Sequence, residues 1–521
     1  MKIERAKNAA RSTVFGWILS IYKLIVPFAM RTAMIYFMGV QYLGLNSLFT
    51  SILSVLNLAE LGVGSAMVYS MYKPIAEDDT KKICSLMRLY RKYYRIIGLV
   101  IAVAGVVLIP FLPKLVKGSI PSELNLYILY LLNLTATVLT YWLFAYRNCL
   151  LMAHQRNDVS SKISLITITL QYGIQLAVII FLQDYYLYVI ALLVTQIISN
   201  MITAFVTKRM YPDYIPVGEV SKDQRKTINR RIKDLFTAKI GAVVVNSADT
   251  IVVSAFLGLE MLAIYQNYFY LLEAVKGLIG IALGACMAGI GNSLIVESKA
   301  KNLNDLNKLT FIVAWISGMC TCCFLCLYQP FMKLWVGESL MLEYTAVICF
   351  GIYFYVMQIN QLLNIYKDAG GLWHEDRFRP IVTAIANLAI NLLLVNFWGI
   401  YGVLLSTVIT ALFIGMPWLL HNLFTVLFER KELKGYLLKI LFYAFFSTLA
   451  CLICVTICHF INLSGFMQLI VNMVVCLVVS NVLFFIVYYK RAEFRDSVAL
   501  VDSITKNKLR LRKRIFRERG Q

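Results

Sequence analysis

Six ionisable side chains stand well within stretches otherwise apolar enough to lie in lipid, away from their ends: Lys23, Arg31, Glu60, Asp249, Glu273 and Lys276. A charge at the centre of a bilayer costs about 2.5–3.5 kcal/mol on insertion scales, so such groups usually face a cavity or a partner. Lys23 and Arg31 are eight residues apart, less than a quarter turn around a helix, and can address one water-filled space. Paired cations in a membrane cleft suit a phosphorylated head group, whose oxygens a guanidinium holds through two parallel hydrogen bonds. Lys276 is a third candidate for that diphosphate-binding role. Glu60, Asp249 and Glu273 are candidates for binding a coupling proton or sodium ion, or for countering a nearby cation. Purely structural readings compete with these. Glu273 and Lys276, at i and i+3, can pair with each other; Arg31 and Glu60 can pair across helices, and Lys23 can snorkel.

Buried amides form a second layer. Gln171 and Gln175, Asn360 and Asn364, and Asn387 and Asn391 are i, i+4 pairs. In a membrane such pairs often hold helices together, at about 0.6–2 kcal/mol each; the same groups can also contact glycan hydroxyls. Tyrosines such as Tyr265, Tyr268 and Tyr270 fit an interfacial belt or a stacking surface for sugars.

The elements that carry these residues are apolar stretches long enough to cross a bilayer, which takes about 20 residues of helix. They lie near 12–37, 43–71, 94–113, 124–146, 163–182, 186–207, 237–257, 262–294, 309–328, 342–366, 381–397, 400–424, 436–459 and 465–489. Composition agrees: 60% of the 521 residues are hydrophobic and 15% charged, with a mean hydropathy of +0.72. Alternating the loops from side to side puts 44 Lys and Arg on one side and three, Lys114, Lys117 and Lys333, on the other. This positive-inside asymmetry places both termini in the cytoplasm, and one span more or fewer would destroy it. The net charge of +22 therefore addresses anionic lipid headgroups rather than nucleic acid. The tail segment LRLRKRIFRERG alternates apolar and basic residues and is expected to lie on the inner surface, as is the loop Tyr211 to Asp234. No cleavable signal precedes the first span.

A shift of 219 residues lays Phe37–Asn46 on Phe256–Tyr265, with Gly39 on Gly258, and spans 3–6 on spans 9–12. The expected fold is thus an all-α integral membrane protein of about fourteen transmembrane helices, in two parallel six-helix bundles plus a C-terminal helix pair. The corresponding domains are 1–208, a cytoplasmic loop at 209–236, 237–424, the extra pair at 425–489 and a basic tail at 490–521. Transporters built from parallel halves place the substrate path between them and rock one against the other.

Much is excluded. No loop is large enough for a catalytic or nucleotide-binding domain, and no Gly-Lys-Ser/Thr phosphate cradle or His-Glu-x-x-His motif occurs. The chain is not expected to be an enzyme or to carry a cofactor. Nearly all of the twelve cysteines lie inside spans, where cysteine is a small hydrophobe. The spacings Cys323–Cys326 and Cys454–Cys458–His459 look like metal ligation, but no carboxylate accompanies them, so no metal is expected.

Several segments carry a resemblance. Gly39-Val-Gln-Tyr-Leu-Gly-Leu-Asn-Ser-Leu-Phe-Thr, continuing to Leu58-Ala-Glu-Leu-Gly-Val-Gly-Ser-Ala, resembles the N-terminal signature of bacterial polysaccharide (oligosaccharide) flippases. These belong to the multidrug/oligosaccharidyl-lipid/polysaccharide exporter superfamily. Tyr146-Arg147 with Leu150-Leu-Met-Ala-His-Gln-Arg is similar to the family's inner loop after span 4. Asn246-Ser-Ala-Asp-Thr, with Leu257-Gly, Ile264-Tyr and Asn267-Tyr, resembles its span 7–8 signature. Ala369-Gly-Gly-Leu-Trp-His-Glu-Asp-Arg-Phe-Arg-Pro380 resembles its span 10–11 loop. The resemblance implies two bundles around a cationic cleft that pass undecaprenyl-diphosphate-linked oligosaccharide from the inner to the outer leaflet of a bacterial plasma membrane. It also implies glycosyltransferases and a glycan polymerase as working partners in making capsule or other cell-surface polysaccharide. A cation-coupled multidrug exporter of the same superfamily, or a peptidoglycan or teichoic-acid precursor flippase, are the alternatives. A membrane glycan polymerase or ligase is the alternative from another class, and the short outward loops argue against it.

Overall fold

The computed structural model describes residues 5–118, 120–461 and 463–504. Among these, every regular element is helical, as lipid demands of a backbone that must satisfy its own N–H and C=O groups. Eleven segments are long and apolar enough to cross a membrane, and the bent pair Leu126–Trp142 and Ala145–Ala153 makes a twelfth. Two local features account for the rest of the fourteen expected spans. The 48-residue segment Arg379–Val426 leaves helical geometry at Gly399 (φ 53°, ψ −129°), where the sequence separates its eleventh and twelfth spans. Val243–Leu257 is apolar but falls short of 18 residues; it ends a longer helix whose first turns are charged.

Two compact units divide the chain, residues 1–266 and 267–521. In the first, α1 (Arg5–Phe37) is followed by α2 (Val40–Leu56) and α3 (Val63–Ala76). The last two form one span broken by the single turn Asn57–Glu60. Next come α4 (Thr80–Leu108), α5 (Leu126–Trp142), the short α6 (Asn148–Ala153), α7 (Asn157–Ala177), α8 (Tyr185–Met210) and α9 (Lys222–Leu257). The main packings are α1 on α7, α4 on α5, and α7 and α5 on α8. Helix α9 packs on α2 and α3, and so belongs with the first six spans, whereas the sequence expects residue 237 to open the second bundle. Polar contacts hold it there: Ser254 Oγ donates to the Leu115 carbonyl (2.7 Å) and Lys117 N–H to that of Ser254 (3.1 Å).

Several helices run beyond their apolar cores. Asp79 caps α4, its side chain accepting from Lys82 N (3.0 Å), and Ser221 caps α9 at Gln224 N (3.3 Å). The expected 209–236 loop is therefore helix from Lys222 onward. Hydropathy locates only the lipid-facing part of a helix, while Lys, Arg and Gln propagate helix well outside it.

The second unit contains most of α10 (Leu259–Val296), then α11 (Lys299–Trp335), α12 (Tyr344–Ala369), α13 (Arg379–Thr410), α14 (Met416–Val426), α15 (Leu433–His459), α16 (Gly465–Tyr488) and α17 (Ala492–Ile504). The C-terminal pair α15–α16 packs on α11. Trp315 Nε1 donates to Asn481 Oδ1 (2.8 Å), Asn472 Nδ2 to the Cys326 carbonyl (3.1 Å), and Thr310 meets the Tyr436 hydroxyl (2.8 Å). The basic segment at 509–520, expected to form a surface helix, lies outside the described residues.

The internal repeat has a backbone counterpart. Gly39 (φ 115°, ψ 159°) and Gly258 (φ 95°, ψ 173°), matched by the 219-residue shift, adopt the same positive-φ conformation at the starts of α2 and α10. Side chains rarely tolerate that region, which glycine enters freely.

Candidate functional site

Lys23 is exposed and Arg31 half-buried on α1. At 100° per residue, Lys23 falls within about 20° of Met30 and Met34 around the helix, and both methionines are buried. The exposed apolar residues Val14, Ile21 and Ile25 lie on the opposite side. Lys23 is thus exposed on the face that α1 otherwise turns toward protein, away from its apolar face. Arg31 lies about 80° further round and acts electrostatically on the Tyr188 hydroxyl of α8. The two cations therefore point to the inner side of their helix.

Glu60 ends the turn that breaks the second span. Tyr94 Oη donates to its carboxylate (3.0 Å), and Tyr90 Oη donates to Tyr94 (2.7 Å). Tyr141 Oη binds Asn57 Oδ1 in the same turn (3.1 Å). Both Tyr90 and Tyr94 are buried, their rings 4.4 Å apart. A half-buried carboxylate at the end of a chain of hydroxyls can take up and release a proton without moving a helix. The sequence marks Glu60 but not the tyrosines. Their i, i+4 spacing on α4 is the available signal, lost among 31 tyrosines.

Asp249 is buried on α9 within a polar run, Ser247, Thr250 and Ser254, that is also buried. Thr250 Oγ1 accepts from Gln266 Nε2 (2.8 Å).

In the second unit, Lys276 Nζ lies 2.6 Å from Glu273 Oε1. These two residues form the i, i+3 pair that their spacing allows. The Lys276 ammonium also sits 6.0 Å above the Tyr353 ring.

The amide pairs act between or along helices. Gln171 Nε2 donates to Gln175 Oε1 (3.3 Å), and the buried Gln175 donates to the Tyr188 carbonyl (3.1 Å), tying α7 to α8. Asn364 donates to the Asn360 carbonyl (2.8 Å) and accepts from Arg379 Nη2 (2.8 Å). Asn387 Nδ2 donates to Thr407 Oγ1 (2.9 Å), bridging the two halves of the segment broken at Gly399.

The loop after α12 contains residues that the sequence reading passed over. Asp376 is buried there, as are Lys367 in the last turn of α12 and Arg379 at the start of α13. Asp376 accepts from Arg379 Nε and Nη2 (2.6 and 2.7 Å) and from Asn422 Nδ2 (3.2 Å), with Lys367 Nζ 3.8 Å away. The loop before α7 has a smaller counterpart, Arg156 on the buried Asp158 (2.9 Å). In both places an arginine holds a buried carboxylate.

No family model matches the sequence, and no curated protein is similar to it. The fold is nevertheless shared. The inward closed conformation of the lipid II flippase MurJ superposes with a TM-score of 0.66 at 14% identity, covering 92% of this chain and 99% of MurJ. An inward-facing multidrug resistance MATE family transporter of the MOP superfamily gives 0.57 at 12% identity, over 80% and 98% of the two chains. An outward-facing MATE family transporter gives 0.53 at 12% identity, over 82% and 96%. The chain is a multi-pass membrane protein with the fold of the lipid II flippase MurJ and of MATE multidrug transporters.

Proposed function

We propose that the chain is a flippase that carries undecaprenyl-diphosphate-linked oligosaccharide repeat units from the inner to the outer leaflet of a bacterial plasma membrane by alternating access, with both termini in the cytoplasm. The observation that carries this reading is the position of Lys23 and Arg31, cations on the inward side of α1 with their helix's apolar face turned elsewhere. A diphosphate crossing a membrane needs fixed positive charge along its way, and Arg31 can hold two phosphate oxygens at once. Glu60, with its tyrosine chain, and Asp249 are the coupling groups in this reading, for a proton or a sodium ion. Asn360, Asn364 and Gln171 remain candidate glycan contacts, while Gln175 serves packing. Lys276, paired with Glu273, contributes to phosphate binding only where that pair opens.

Coverage supports a lipid substrate over a drug. MurJ matches 92% of the chain and the MATE transporters 80% and 82%. The difference is comparable in size to the helices α15 and α16, of 27 and 24 residues.

Purified protein in vesicles loaded with lipid-linked oligosaccharide tests the reading. Wild type should expose the glycan to an outer-leaflet glycosidase, and Lys23→Ala and Arg31→Ala should slow that exposure at least about tenfold, the equivalent of 1.4 kcal/mol. Normal rates in both variants would remove the phosphate role. Transport of cationic dyes without lipid flipping would favour the multidrug exporter.

A further inference from the structure

The densest chemistry outside that site is sulfur. Eight cysteines stand on three packed helices of the second unit: Cys320, Cys322, Cys323 and Cys326 on α11, Cys451, Cys454 and Cys458 on α15, and Cys476 on α16. The Cys322 and Cys451 sulfurs are 3.4 Å apart. Cys476 donates to the Cys322 carbonyl (3.5 Å) and meets the thiols of Cys323, Cys326 and Cys454. Three of the sulfurs, those of buried Cys326, Cys458 and Cys476, lie within 4.8 Å of one another.

Small apolar residues let membrane helices approach closely, and that explains cysteine at a seam. It does not explain the cavity beside it. Cys326 and Cys458 line a hollow of ≈ 620 Å³ together with His459, Gln329, Gln468 and Asn472. Asn472 is 2% exposed, and its Oδ1 has no partner among the described residues. Its Nδ2 donates to the Cys326 carbonyl (3.1 Å). A buried acceptor left unmet is costly, which favours water or a hydrated ion in the hollow beside the thiols. The sequence weighed Cys323–Cys326 and Cys454–Cys458–His459 as ligand sets. It could not bring in Cys476, which arrives from a third helix.

We propose that Cys326, Cys458 and Cys476 form a binding site for one thiophilic d10 cation, Cu(I) or Zn(II), loaded through this cavity. Sulfurs around a trigonal centre with metal–sulfur bonds of about 2.3 Å lie roughly 4 Å apart, within a side-chain rotation of the observed spacing. Soft thiolates select these ions over Mg(II), Ca(II) or Mn(II). Each ligating thiol gives up its proton to cavity water as the ion binds, and no electron changes hands. The ion's charge offsets part of the cost of thiolates in an apolar setting, a net −2 remaining with Cu(I) and −1 with Zn(II) when all three thiols ionise, and its bonds fasten α15 and α16 to α11. The site stands independently of the substrate proposed above.

The test uses the full-length protein, reduced and anaerobic in detergent, titrated separately with Cu(I) and Zn(II) against chromophoric chelators. Wild type should take up one ion per chain of at least one of the two metals. Cys476→Ser and Cys326→Ser/Cys458→Ser should bind at least about tenfold more weakly, while Cys84→Ser and Cys349→Ser should match wild type. X-ray absorption should find sulfur neighbours at about 2.3 Å. In unsubstituted protein, the bound ion should shield Cys326 and Cys458 from alkylation, a readout that needs no variant to fold. Stoichiometric uptake of neither ion, or equal alkylation with and without metal, overturns the site. So does undiminished affinity in a Cys326→Ser/Cys458→Ser protein that elutes and unfolds as wild type does.

Discussion

Asp376 and Arg379 clasp each other through two hydrogen bonds, Nε to Oδ1 at 2.6 Å and Nη2 to Oδ2 at 2.7 Å, with both side chains buried. Asn364 takes a further Arg379 N–H, and Asn422 a further Asp376 lone pair. This geometry makes the pair costly to break from one side. Removing Arg379 leaves the buried Asp376 carboxylate with only Lys367 Nζ, 3.8 Å away, and Asn422 to answer it, a loss toward the lower end of the about 3–5 kcal/mol that breaking a buried pair costs. Arg379→Ala should therefore lower the unfolding temperature in detergent markedly, and Arg379→Lys should rescue only part, because an ammonium cannot grip both oxygens. Removing both charges in Asp376→Asn/Arg379→Gln should cost less than either alanine variant alone. An unfolding temperature unmoved by Arg379→Ala would show that the loop is held by other means.

Glu60 and Tyr94 allow a separation of coupling from architecture. Tyr94→Phe removes the hydrogen bond to the carboxylate, worth about 1.5–3 kcal/mol, and the one that Tyr90 donates to Tyr94, and keeps the ring that packs on Tyr90 at 4.4 Å. Glu60→Gln keeps the shape and an acceptor but removes the titrating group. Glu60→Gln should leave binding of lipid-linked substrate near wild type while abolishing the response of flipping to an imposed proton or sodium gradient. Tyr94→Phe should weaken that response without abolishing it. Gradient-driven flipping that survives Glu60→Gln intact would move the coupling role elsewhere, with Asp249 next in line.

The spans were legible because bilayer crossing imposes a length and a hydropathy that a sequence must display. Even the break at Gly399 falls where two apolar stretches meet. The ends of the helices were not, since the charged first turns of α4 and α9 look like loops to hydropathy. The assignment of α9 to the first unit was also hidden. It depends on which neighbour Ser254 and Gly44 meet, and no local pattern encodes that. Among the site residues, Glu60, Asp249 and the α1 cations stand out in sequence because charge in a span is expensive. The tyrosines around Glu60 and the Asp376–Arg379 clasp consist of residue types common at interfaces and in loops. Their roles arise from partners 30 or more positions away in the one case (Glu60 to Tyr94) and from burial in the other. Cys476 is illegible for the same reason: one cysteine in a span means nothing until two more meet it.

Gly44 tests the packing of α2 directly. A Cβ there would run into the backbone carbonyl of Leu259 and lie 2.8 Å from its carbon and 3.1 Å from its Cα. Backbone cannot step aside as a flexible side chain does, so Gly44→Ala must push α2 away from the start of α10. Overpacking of this kind costs about 1–3 kcal/mol in soluble cores, and the upper end is expected here. The variant should unfold earlier in detergent, and flipping should slow through altered helix positions rather than lost charge. A Gly44→Ala protein with wild-type stability and rate would mean that the two backbones are further apart than the structure places them.

His154, in the turn before α7, gives the fold a sensitivity to acid. The ring is 4% exposed and lies on Tyr211 and Tyr214, with centroids at 4.4 and 5.7 Å. Nδ1 sits 2.9 Å from the Leu150 carbonyl, which fixes it as the protonated nitrogen, and Nε2 is buried with no hydrogen-bond partner among the described residues. Burial holds the imidazole pKa below its ordinary value, the Leu150 hydrogen bond opposing only in part. The unfolded chain, titrating near about 6.5, therefore binds a proton that the folded chain refuses. Stability from this group is fully present above that pH and is lost as pH falls below it. The unfolding temperature should accordingly drop between about pH 7.5 and pH 5.5, and His154→Phe, which keeps a ring between the tyrosines and cannot titrate, should drop less. Equal losses in the two proteins would place the acid sensitivity in other groups.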